Sequence, residues 1–146
     1  MRLQGSMAGP EVRAFLVCLL LAASAGGCGP SQPRCFALEV DCSGVAPPSF
    51  DELHAELLAP SCGTGLSCHV EDDVPAGDLR LDDSVLAYET LLDPARALVV
   101  PERPECSEVV RRVTSGARFV RMPPARALTR AEMCAIVSWV SAGAPP

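Results

Sequence analysis

The chain has 146 residues, 49% of them hydrophobic, and a formal net charge of -6. That length supports one domain with a modest core. The acidic balance argues against nucleic-acid binding, and two histidines with no Ser-His-Asp or paired-carboxylate pattern give no basis for an enzyme.

Residues 1–27 read as a secretory signal. Two arginines precede the apolar run "AFLVCLLLAASA", which is too short to span a membrane. "ASA" fits release as a soluble protein, whereas "AGGC" is similar to a bacterial lipobox with Cys28 as the lipidated residue. Cysteine parity favours the lipobox. Once Cys18 leaves with the signal and Cys28 is lipidated, six cysteines remain for an oxidising compartment. The expected protein is a lipoprotein of the cell envelope, periplasmic and held by its lipid at the outer membrane. The mature chain carries a charge of about -7.

Residues 28–48 are rich in Pro, Ser and Gly and read as a tether pinned by a local Cys35–Cys42 disulfide. The folded domain is placed at 49–146. "SFDE" is a capping box, and Phe50, Leu53, His54 and Leu57 follow helical spacing up to Pro60. Asp83 or Ser84 caps a second helix with Val85, Tyr88, Leu91 and Leu92 inward. A third helix is expected over Glu105–Thr114, with Cys106, Val109, Val110 and Val113 as its stripe. A fourth starts at Thr129 with Glu132 as capping partner and Met133, Ile136, Val137 and Val140 inward. No strand-like alternation is expected. The fold class is mainly α: four short helices joined by long loops. So thin a core needs disulfides, a metal or a large cofactor.

Cys68-His69 offers a thiol beside a histidine, the pair that haem c attachment uses. The nearest upstream thiol is Cys62, giving C-x5-C-H. Three arrangements stay open: thioethers through both cysteines, a single thioether through Cys68, or a Cys62–Cys68 disulfide and no covalent haem. Gly63 and Gly65 permit the ring of the third. Zinc is disfavoured by the spacing, and a thioredoxin-like role by the lack of C-x-x-C. Met122 sits between Arg121 and two prolines on a stiff loop, a better place for a ligand than for core filler; Met133, on a helix stripe, is expected in the core. His54 is expected as a half-buried, hydrogen-bonded core residue. Cys106 and Cys134 flank the Met122 loop and are expected to pair.

The ordered set "SCGTGLSCH", "GDLRLDD", "VVPERPECSEVVRRV", "RMPP" and "LTRAEMCAIVSWVSAGA" resembles the small class I c-type cytochrome domains of planctomycete and myxobacterial secreted proteins. The resemblance spans about Phe50 to Pro145. It implies a cytochrome c-like fold, one haem c attached at Cys68, His69 as proximal and Met122 as distal iron ligand, and electron transfer with a redox partner protein. The alternative is a haem-free, disulfide-stabilised structural or interaction lipoprotein on the same frame.

Overall fold

The computed structural model describes residues 34–64, 69–70 and 76–146. The expected signal segment, the lipidation site Cys28 and the thioether site Cys68 lie outside the described residues.

The first helical run begins where the capping box places it. Glu52 N–H donates to the Ser49 hydroxyl at 3.3 Å, and Ser49 N–H donates to the Glu52 carboxylate at 2.9 Å. Helix α1 (Phe50–Leu53) passes without a break into a π-helical turn, His54–Leu58, and then into α2 (Ala59–Cys62). Pro60 therefore does not end the helix, as its lack of an N–H suggests it should. The Ala59 N–H bonds five residues back to the His54 carbonyl. That wider turn relieves the crowding a proline ring meets in an ordinary α-helix. The extra residue in the turn also rotates the apolar stripe, so Leu57 and Leu58 are both buried beside Phe50 and Leu53.

Helix α3 (Ser84–Leu91) is capped by Asp83, whose carboxylate accepts from Leu86 N–H at 2.9 Å. Its inward face differs from the expected one. Ala87 and Leu91 are buried, while Val85 is 64% exposed. Tyr88 sets the rotation. Its ring meets Phe50 edge-on at 4.9 Å, and its hydroxyl donates to the Ala144 carbonyl at 3.1 Å.

The expected third helix is two elements: a 3-10 turn, Pro104–Cys106, and α4 (Glu108–Thr114). Ser107 divides them in an extended conformation and is completely buried. Its hydroxyl accepts from Val100 N–H at 2.8 Å and donates to the Arg103 carbonyl at 3.0 Å. The hydroxyl is thus spent on closing the "VVPERPE" loop, and not on capping α4.

Helix α5 (Arg130–Ser141) opens with the expected Thr129/Glu132 capping box. Ile136, Val137, Trp139 and Val140 are buried, and Met133 packs half-buried against the same core. Trp139 lies 5.4 Å from Phe50 and donates its indole N–H to the Pro145 carbonyl at 2.8 Å. The aromatic cluster of Phe50, Tyr88 and Trp139 thus ties α1, α3 and α5 together. The described residues are helical and irregular, with no strand among them, as the mainly α reading requires.

The segment before Ser49 corrects the expectation most. Residues 34–48 are laid on the domain. Phe36, Leu38, Val40 and Cys42 alternate inward against the core, with Ala37, Glu39 and Asp41 outward. Phe36 N–H donates to the Glu105 carbonyl at 2.9 Å, and Arg130 donates to the Asp41 carbonyl at 2.6 Å. The disulfides follow this course. Cys35 pairs with Cys106 and Cys42 with Cys134, in place of the expected Cys35–Cys42 and Cys106–Cys134 pairs. An extended arm separates Cys35 from Cys42 by about 20 Å, far beyond disulfide reach. Each therefore meets the helical cysteine beside its own end of the arm.

Candidate functional site

The run α1–α2 ends at Gly63, which lies against the backbone of Leu81. A Cβ at Gly63 would stand 2.5 Å from the Leu81 carbonyl oxygen. Only glycine lets the two backbones approach this closely. Gly63→Ala is expected to cost about 1–3 kcal/mol, read as a lower midpoint in urea unfolding; an unchanged midpoint would show that the segment yields freely.

That close approach positions His69. Its N–H donates to the Cys62 carbonyl at 3.0 Å, and its carbonyl accepts from Leu81 N–H at 2.7 Å. Its ring Nδ1 lies 3.2 Å from the Leu79 carbonyl. A carbonyl only accepts, so Nδ1 carries the proton in this contact and Nε2 presents its lone pair. His54 is spent otherwise. Its Nε2 lies 3.1 Å from the Leu81 carbonyl, and it does not line the cavity that His69 faces. It is the half-buried, hydrogen-bonded residue expected.

His69 and Met122 line one cavity of about 360 Å³, with Cys62 also in its wall. The walls are otherwise mainly aliphatic: Leu58, Leu79, Leu81, Leu98, Val109 and Val113 contribute. Met122 is held by its backbone: its N–H donates to the Arg112 carbonyl at 3.0 Å, the Met122–Pro123 peptide is cis and Pro123 is buried. The 3-10 turn Ala76–Asp78 forms part of the rim. Arg96 braces it by donating to the Gly77 and Asp78 carbonyls.

Two charged residues in the wall were not singled out from sequence. Glu108 accepts from Arg111 Nε at 2.6 Å and from Arg112 Nε at 2.6 Å. The Arg111 hydrogen bond, helped by Arg112, holds the Glu108 carboxyl below its usual range. Arg112 also reaches the Val120 carbonyl at 3.4 Å, bracing the loop that leads to Met122. The signal was available in "EVVRR", where an acid stands three and four residues before two arginines.

A second ion pair lies beside the α2 end. Arg126 grips Glu132 at 2.8 and 3.0 Å and the Ser61 hydroxyl at 3.0 Å. Arg126 first, then the Thr129 N–H, lower the Glu132 pKa to about 2. A depressed carboxyl contributes stability that is present above its unfolded value near 4.5 and lost as pH falls toward 2. The thermal midpoint is therefore expected to fall across that window, and Glu132→Gln is expected to flatten part of the decline. A variant profile that parallels the parent would remove this pair from the account.

The donor set suits a haem iron of the c type: an imidazole with its second nitrogen fixed, a thioether on a braced loop, a cysteine in the wall and aliphatic surroundings. Fold and cavity together define a mainly α domain with an apolar cavity lined by His69 and Met122. The family model for planctomycete cytochrome C matches residues 66–126, a span that holds Cys68, His69 and Met122. That span is therefore similar to a planctomycete-type cytochrome c domain. No curated protein and no solved structure matches it.

Proposed function

We propose that this domain carries electrons with one haem c seated in the 360 Å³ cavity, with His69 and Met122 as iron ligands. The observation that carries the reading is that a single apolar cavity is lined by both residues. When bound, the haem iron supplies a one-electron couple. The chain's own groups do the rest. The Leu79 carbonyl holds the His69 Nδ1 proton, so Nε2 is the ligating nitrogen. The aliphatic wall would shield a bound iron from water and keep the local dielectric low. With His69 and Met122 both given to the iron, the group would supply electron transfer and not substrate chemistry. Cys68, adjacent to His69, is the thioether site, and Cys62 in the cavity wall stands where a second thioether would form.

The same proposal places the protein in the cell envelope, exported by residues 1–27, anchored through a lipid on Cys28 and exchanging electrons with a redox protein there. The two disulfides support an oxidising compartment. They also support a second reading. Bridges that fasten the arm to the helical core hold the frame together without a cofactor, as a haem-free structural lipoprotein requires.

Expression in a host with cytochrome c maturation separates the two readings. The expected result is a Soret band and haem that stays with the chain on a denaturing gel. A colourless, folded protein would leave the haem-free reading.

A further inference from the structure

Six of the twelve arginines lie between residues 109 and 131, and no aspartate or glutamate does. The chain outside that stretch is strongly acidic. Four of the six are engaged: Arg111 and Arg112 by Glu108, Arg126 by Glu132, and Arg130 by the Asp41 carbonyl. The other two flank an exposed aromatic ring. Arg118 is exposed, and among the described residues no carboxylate pairs with it or with Arg121. Arg121 reaches the Pro124 carbonyl at 3.5 Å, and its buried Nε has no hydrogen-bond partner. Between them Phe119 is fully exposed, at 101%.

A bare phenylalanine between two arginines has the composition of an interface centre, where aromatic residues and arginine are enriched. It stands three residues before Met122, on the loop that walls the cavity. The charge pattern indicates the occupant. An acidic protein repels acidic surfaces everywhere except at a local positive face, so such a face selects both the partner and its orientation.

We propose that Arg118, Phe119 and Arg121 form the docking surface for an acidic protein surface, that of the electron-transfer partner, and so turn the Met122 side of the cavity toward it. The purpose rests on the electron-carrier reading; the charge argument does not.

The test titrates the mature full chain, disulfides intact, with poly-L-glutamate at low salt. Amide shifts and anisotropy are the readouts. Saturable binding is expected despite the protein's own negative charge, with shifts centred on 118–122 and loss at about 0.5 M salt. Arg118→Glu is expected to weaken binding about fivefold or more. Arg34→Glu, an equal charge change at an exposed residue outside the stretch, should leave it within about twofold. Absence of saturable binding, or equal loss in both variants, overturns the proposal. So does binding to phosphatidylglycerol vesicles without binding to poly-L-glutamate, which would make the patch a membrane contact. Arg118-dependent self-association in sedimentation with no binding of the probe would make a second copy the occupant, and also overturns it. Haem is measured on the same sample. Binding without a Soret band keeps the docking surface and sinks the electron-carrier reading; a Soret band without binding does the reverse.

Discussion

Removing the Cys42–Cys134 bridge, as Cys42→Ala with Cys134→Ala, is expected to destabilise the domain by about 4–5 kcal/mol in the chain-entropy account. The size follows from the 92-residue separation the bridge closes. It is a large share of the roughly 5–15 kcal/mol by which single domains are stable. The Cys35–Cys106 bridge closes 71 residues, and its loss is expected to cost nearly as much. The two losses differ in what they loosen. Cys42–Cys134 fastens the arm to the middle of α5. Cys35–Cys106 fastens it to the turn before Ser107 and α4, and α4 supplies Glu108, Val109, Arg112 and Val113 to the cavity. Its removal should therefore disturb the cavity as well as the midpoint. Guanidinium unfolding under matched redox conditions measures the first effect. A loss below about 1 kcal/mol, or a peptide map showing Cys106 joined to Cys134, would contradict the arrangement described above.

The second large effect concerns the two ligands. His69→Ala is expected to remove most of the haem from the purified protein, because the imidazole that would hold the iron beside Cys68 is gone. Met122→Ala is expected to keep the haem, since the attachment side is untouched. Its reduction potential should fall by on the order of 0.1 V or more, within the roughly 0.8 V that axial ligation spans. The asymmetry matters: attachment and potential are separable readouts. A Met122→Ala protein with an unchanged potential would remove Met122 from the iron while leaving His69 in place.

Much of the helical frame was legible because its signals are local. Ser49 with Glu52 and Thr129 with Glu132 announce helix starts within four residues, and both boxes form as written. The place of Met122 in the cavity wall was legible for a related reason: a methionine between an arginine and two prolines has no packing stripe to join. Errors arose where tertiary contacts set the answer. Pro60 reads as a stop until the π turn before it is known. Val85 reads as inward until the Tyr88 hydroxyl finds Ala144 at the far end of the chain. The Pro, Ser and Gly around the arm mask the alternation of Phe36, Leu38, Val40 and Cys42 within it. Disulfide pairing failed because four cysteines admit three connectivities and sequence alone does not choose among them. The choice belongs to the arm, which puts its two cysteines at opposite ends of an extended segment.

The proposed function requires a covalent haem held by His69 and Met122. Intact mass of the mature chain, taken under denaturing and non-reducing conditions, tests it most directly. The expected mass is that of a single haem adduct, with Cys35–Cys106 and Cys42–Cys134 oxidised. A haem-free mass with Cys62 joined to Cys68 as a third disulfide would contradict it.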